Sequence, residues 1–206
     1  MKKKYNENLK QGQALFGGSF DPIHCGHIAI AQSVLNLEAI SEVIFIPSSV
    51  SPLKRHNPLA TNNQRKEMIL KAIEEEDGFS LDDSELEKGG ISYTINTVEE
   101  YRKNTDLDLY FIMGADQFYQ LSNWYRVEAL IKELKFLVYP RQGYPIEAAP
   151  IVSSKDISYE VLNLPYWDMS STKIRKLCEQ AVSIGDFVPS SVEVFINKHQ
   201  LYHSSK

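Results

Sequence analysis

Gly17-Gly18-Ser19-Phe20-Asp21-Pro22-Ile23-His24-Cys25-Gly26-His27 follows the apolar run Ala14-Leu15-Phe16 and opens into Ile28-Ala29-Ile30-Ala31. The pattern reads as strand, turn, helix. Gly17 and Gly18 admit backbone angles closed to other residues and let a ligand approach the main chain, and Asp21-Pro22 reads as a turn. His24 and His27, three apart, share a face if the helix starts near them. That places two imidazoles beside backbone N–H groups and a dipole end that favour anions.

Other readings of this stretch fail on specific residues. Gly12 to Ser19 has the outline of a Walker A loop, but Gly18 stands where the phosphate-binding lysine belongs. No G-x-G-x-x-G occurs, so the dinucleotide fingerprint is absent. His24, Cys25 and His27 suggest zinc only weakly, because the other cysteine, Cys178, is distant in sequence and a closed site wants four ligands. What remains is either a phosphate-binding helix start or a turn whose histidines merely cap a helix.

Outward from the turn, Ile28, Ala31, Val34 and Leu35 recur at helical spacing, and Glu42 to Pro47 is a short apolar run ended by proline. Strand, helix, strand begins a βαβ unit. Thr61-Asn62-Asn63-Gln64 has capping-box spacing before a helix that buries Met68, Ile69, Ala72 and Ile73. Arg65, near that start, suits a surface ion pair better than a strut beneath the turn. Phe79 to Leu81 reads as a strand, followed by an acidic hairpin-like segment to Gly89-Gly90. Ser92 or Thr94 is expected to cap a helix running to about Arg102. Asp108 to Gly114 and Lys135 to Tyr139 are buried strands, Ile151-Val152 a weak one, and Tyr159 to Leu164 another. Gly114 and Asp116 place a bare backbone and a carboxylate at a strand end, suited to a ligand's hydroxyls. Trp124 is either a stacking platform or a core residue. Ser170-Ser171-Thr172 precede a last informative helix with Ile174, Leu177 and Ala181 on one face, and Lys173 and Arg175 beside its start. Val188-Pro189-Ser190-Ser191-Val192 opens a final amphipathic helix, running through Phe195 and Ile196.

The 206 residues, 43% hydrophobic, suffice for one substantial core. With 22 basic against 27 acidic side chains the net charge of -5 argues against a general nucleic-acid binder. No run approaches the roughly 20 apolar residues of a membrane helix, and Lys2-Lys3-Lys4 is followed by polar residues, unlike a secretory signal. Two cysteines make no disulfide framework, so the cytoplasm is the expected compartment. Residues 1–12 read as a polar extension and 13–203 as one domain.

Gly17 to His27 resembles the signature of nucleotidyltransferases with a His-x-Gly-His motif, and its wording is closest to the nicotinate-nucleotide adenylyltransferase family. Met169-Ser170-Ser171-Thr172-Lys173-Ile174-Arg175 matches that family's second signature, usually Ile-Ser-Ser-Thr-x-Ile-Arg, and the resemblance runs from about Ala14 to Tyr202. It implies an α/β, single-domain, Rossmann-like nucleotidyltransferase fold with a mostly parallel central sheet flanked by helices. It implies AMP transfer from ATP to nicotinate mononucleotide, giving deamido-NAD and pyrophosphate in NAD biosynthesis. His24 and His27 would face the triphosphate, with Gly17, Gly18, Ser19, Phe20 and Gly26 forming its cradle. Ser171, Thr172 and Arg175 would hold the β and γ phosphates, and Lys54 would lie on a basic loop over the substrates. Gly114, Asp116 and Arg141 would contact nucleotide. Thr94 would recognise the ring carboxylate and Trp124 would stack on nicotinate. Magnesium would be bound through the ATP phosphates, without a protein metal cage. Leu53 and Asn96 depart from the family's His and Asp. The competing expectations are the same transfer to nicotinamide mononucleotide or phosphopantetheine, and a noncatalytic nucleotide sensor. No nucleic acid or membrane partner is expected, and a homo-oligomer is left open.

Overall fold

The computed structural model describes residues 12–53, 57–154, 156–165 and 169–203. β1 (Gly12–Gly18) leads into α1 (Cys25–Leu35) and β2 (Ile40–Pro47), followed by α2 (Asn62–Ile73) and β3 (Phe79–Leu81). After the short α3 (Ser84–Lys88) come α4 (Thr94–Asn104), β4 (Leu109–Gly114), α5 (Ala115–Gln120), α6 (Val127–Glu133) and β5 (Leu134–Tyr139). The chain ends through α7 (Pro150–Ser154), β6 (Tyr159–Val161), α8 (Ser171–Glu179) and α9 (Ser190–Lys198).

The six strands form one sheet in the order β3-β2-β1-β4-β5-β6, and every pairing is parallel. Alternation along the strands sends side chains to two cores. Ala14, Phe16, Val43, Phe45, Ile112 and Leu137 face one layer with α1, α2, α8 and α9. Leu15, Ile44, Phe111, Met113, Phe136 and Val138 face the other with α4, α5, α6 and α7. A sheet covered on both faces explains why β1, β2, β4 and β5 read as nearly continuous apolar runs. The chain order reverses direction between β1 and β4, so the loops after these strands diverge and leave a crevice above their carboxyl ends.

Local expectations failed where chemistry was ambiguous. The acidic segment after β3 is helical, because Glu85 and Glu87 lie in the first turn of α3, where the dipole favours them, and Lys88 in its last. Ile151-Val152 is helical as well: Pro150 opens α7 with its φ preset, and Ile151 is buried. α8 buries Ile174 and Cys178, with Leu177 partly buried against the same core, but not Ala181, since the helix ends at Glu179 and Ala181 turns into the left-handed region at φ 54°. Among the described residues no helix is long and apolar enough to cross a membrane.

Candidate active site

A cleft of about 1020 Å³ opens above the carboxyl ends of β1 and β4. Its lining brings together Gly17, Gly18, Ser19, Phe20, His24 and His27 with Ser171, Thr172 and Arg175. Gly114, Asp116 and Arg141 border it, as do Thr94 and Trp124 further along. Gly26 does not: its N–H donates to Met169 Sδ at 3.1 Å, and it lines a smaller neighbouring cavity with Tyr139. Lys54 lies outside the described residues.

The two histidines occupy the start of α1. His24 is the N-cap residue in an extended conformation, and its backbone N–H donates to His27 Nδ1 at 3.2 Å. A ring nitrogen that accepts carries no proton, so His27 holds its proton on Nε2. The rings stack with centroids 3.6 Å apart and planes 19° from parallel. Phe20 meets His27 edge-on at 5.0 Å, and Phe16 does so at 5.8 Å. His24 is 3% exposed, and its Nδ1 has no hydrogen-bond partner among the described residues. Burial, with the nearby Arg141 charge adding to it, pulls the His24 pKa down to about 3. His24 is therefore a neutral imidazole at physiological pH.

Neither Gly17 nor Gly18 has a positive φ, contrary to the reading that they serve unusual backbone angles; the left-handed residue is Phe20, at φ 46°. The glycines are required by space. A Cβ on Gly17 would lie 2.9 Å from Phe111 Cζ, and one on Gly18 would lie 2.9 Å from Phe20 Cζ. Gly114 has the same basis, since its Cβ would strike the Asp116 carboxylate and approach Tyr139 to 3.1 Å. A buried aromatic in the left-handed region stores about 1–2 kcal/mol of strain, so the surroundings must hold Phe20 there.

Three residues to which the sequence reading gave no such role do the holding. Arg65, expected on the surface, is completely buried; its Nη1 donates to Ser19 O at 2.7 Å and Ser48 O at 2.8 Å, and Nη2 donates to Asn62 Oδ1 at 2.7 Å. Asp21 accepts from the N–H groups of Leu59 and Ala60 at 2.8 and 3.0 Å. Tyr202 O–H donates to the same carboxylate at 2.8 Å across 181 residues, and burial, with that carboxylate adding to it, raises the phenol pKa. The only local signal was the pairing of Arg65 with a capped helix start; the Tyr202 contact has none.

α8 is stitched to the histidine turn. Ser170 caps the helix by accepting from Lys173 N at 3.2 Å. Ser171 Oγ donates to Pro22 O at 2.9 Å, Arg175 Nη1 donates to Asp21 O at 2.7 Å, and Arg175 Nη2 donates to Thr172 Oγ1 at 3.2 Å. Both sequence signatures thus share one wall. At the end of β5, Arg141 lies over the Tyr139 ring at 4.9 Å with Nε 3.8 Å from Asp116 Oδ1. Thr94 is the first residue of α4, but neither it nor Ser92 caps that helix; Ser92 Oγ instead accepts from Ser49 N at 3.0 Å. Trp124 is half-buried, edge-on to Phe111 at 5.8 Å, and its buried Nε1 has no hydrogen-bond partner among the described residues. Among the described residues no group of three or more His, Cys, Asp or Glu is arranged to hold a metal ion.

A parallel sheet with a histidine pair and a second hydroxyl-rich helix start facing one cleft defines a nucleotidyltransferase of the α/β class. The cytidylyltransferase-like family model matches residues 15–177, and the chain belongs to that family. It is 37% identical over 198 residues to the probable nicotinate-nucleotide adenylyltransferase of Clostridium tetani, covering 92% of this chain and 98% of that protein. It is 33% identical over 213 residues to the nicotinate-nucleotide adenylyltransferase of Escherichia coli O157:H7, covering 94% and 100% of the two chains. The fold is similar to that of Plasmodium falciparum nicotinic acid mononucleotide adenylyltransferase complexed with NaAD, with a TM-score of 0.78 at 22% identity over 93% of this chain and 97% of that one.

Proposed function

We propose that this chain transfers AMP from ATP to nicotinate mononucleotide, releasing pyrophosphate and forming deamido-NAD, in a cytoplasmic setting. The observation that carries the reading is the single cleft that gathers the histidine pair, the start of α8 and the Thr94–Trp124 wall. The names of relatives at 33–37% identity over nearly the whole chain support the acceptor.

The acceptor's phosphate oxygen attacks the α-phosphorus, and the bond to the bridging oxygen of pyrophosphate breaks. A phosphate oxygen is already ionised at neutral pH, so the reaction asks for positioning and charge stabilisation rather than a general base. His27 presents Nε2–H to the nonbridging oxygens, and neutral His24 lies beside it at the α-phosphate. Their stacking fixes both rings without placing two cations in contact. The backbone N–H groups of Ser19 and Phe20 take the same triphosphate. Ser171, Thr172 and Arg175 hold the β and γ phosphates, so charge building on the leaving group meets a guanidinium already anchored by Asp21 O. Lys54, outside the described residues, is assigned to the phosphates by the family resemblance alone. Asp116 and Arg141 bind nucleotide, Thr94 receives the ring carboxylate, and Trp124 offers its face to the pyridine.

Magnesium enters with ATP as part of the substrate. Its preference for several oxygen ligands is not met by the wall, where Asp21 is engaged by three donors and Asp116 faces Arg141. The test is pyrophosphate release with ATP and magnesium, comparing nicotinate mononucleotide, nicotinamide mononucleotide and phosphopantetheine at equal concentration. Preference for the acid supports the reading. Preference for another acceptor removes the Thr94 and Trp124 roles, and no release with any acceptor makes the chain a sensor.

A further inference from the structure

Arg65 has no place in the chemistry above, yet it is among the most completely buried side chains in the molecule. It sits on the first turn of α2, one residue after the Thr61–Gln64 cap, and reaches beneath the loops that follow β1 and β2. One nitrogen takes the carbonyls of Ser19 and Ser48 together, while the other is oriented by Asn62 Oδ1. Asn62 is braced in turn, its amide donating to Leu86 O at 3.3 Å. Among the described residues the guanidinium forms no ion pair; burial lowers its pKa, and the nearby Asp21 carboxylate only partly offsets this.

The Ser19 carbonyl shares its peptide plane with the Phe20 N–H. In a trans peptide these two groups point in opposite directions. Anchoring the oxygen on Arg65 therefore turns the Phe20 N–H away from α2, and Phe20 at φ 46° is the conformation that results. The guanidinium's planar fork suits this task, because it spans three acceptors in fixed geometry that an ammonium cannot reproduce. Its charge also lies beneath the loop on which an anion would rest.

We propose that Arg65 is a positioning residue for the triphosphate: it fixes the Ser19–Phe20 peptide with its N–H presented to phosphate, and its buried charge favours an anion above it. This rests on the reading of the cleft as an ATP site. The role is specific to one substrate, since Thr94 and Trp124 lie on a different part of the wall.

Full-length wild type, Arg65→Lys, Arg65→Met and Asn62→Ala would be compared by circular dichroism, by ATP affinity measured calorimetrically without acceptor, and by steady-state kinetics. For Arg65→Lys we expect a cooperative fold, ATP affinity weakened at least tenfold, kcat reduced about a hundredfold, and KM for nicotinate mononucleotide changed less than threefold. Asn62→Ala, which keeps the guanidinium but frees its orientation, should show the same pattern at smaller amplitude. If Arg65→Met does not fold, Arg65→Lys and Asn62→Ala carry the test. ATP affinity and kcat within twofold of wild type in folded Arg65→Lys would overturn the proposal. Equal losses of affinity for both substrates, in step with lowered stability, would overturn it too by showing a merely structural role. Should wild type bind ATP but turn over no acceptor, the functional reading fails while the calorimetric comparison still decides the role of Arg65.

Discussion

Acidification should destabilise this fold through one side chain, His24. Its pKa is pulled from the ordinary 6.5 to about 3, chiefly by burial, and it is only 3% exposed. The unfolded chain therefore takes up a proton at a pH where the folded chain does not. The stabilisation is complete above about pH 6.5 and is lost as the pH falls toward 3. One pKa unit corresponds to about 1.4 kcal/mol, so the loss by pH 5 is about 2 kcal/mol, and the full effect near pH 3 is roughly 5 kcal/mol. Urea unfolding at pH 7.5 and pH 5 would measure it for wild type and for His24→Gln, which keeps a polar side chain that does not titrate. Other groups contribute equally to both proteins, so the difference of differences isolates His24. Wild type should lose about 2 kcal/mol more than the variant between the two pH values. Parallel losses, or a His24 ring titrating near 6.5 by NMR in the folded protein, would refute the reasoning.

Tyr202→Phe removes one of three donors to a buried carboxylate and should lower stability by about 1–2 kcal/mol in urea unfolding. Gly17→Ala places a methyl 2.9 Å from Phe111 Cζ in the sheet's floor, which should cost about 1–3 kcal/mol, read as a lowered melting temperature. Trp124→Ala should raise KM for nicotinate mononucleotide about tenfold or more while leaving KM for ATP within about threefold, as expected for losing a stacking face worth about 1–3 kcal/mol. Arg175→Ala should reduce kcat about a hundredfold or more by freeing the leaving-group wall, with steady-state kinetics as the measurement.

The sheet was legible because its central strands are buried on both faces and so carry little polar interruption, and because helical spacing in α1 and α2 was strong. β3 and β6 are short edge strands, and the segments beside them follow weaker rules: dipole-favoured carboxylates made α3 helical and Pro150 made α7 helical. The candidate site was legible where short motifs carry it, at Gly17 to His27 and Ser170 to Arg175. Its supporting shell was not. Arg65 reaches Ser19 across 46 residues and Tyr202 reaches Asp21 across 181, and nothing in the neighbourhood of Tyr202 in the sequence announces a carboxylate partner. The glycines were read correctly as necessary but for the wrong cause: the constraint comes from Phe111 and Phe20 rings, which only the folded packing brings there.

The most direct test of the central claim is to follow the α-phosphorus itself. The protein would be incubated with magnesium, nicotinate mononucleotide and ATP labelled at the α-phosphate, and the products separated and identified by mass. Attack at that phosphorus predicts label in nicotinate adenine dinucleotide, with unlabelled pyrophosphate in equal amount. Label retained in ATP, or recovered only as AMP without a dinucleotide, would contradict the account.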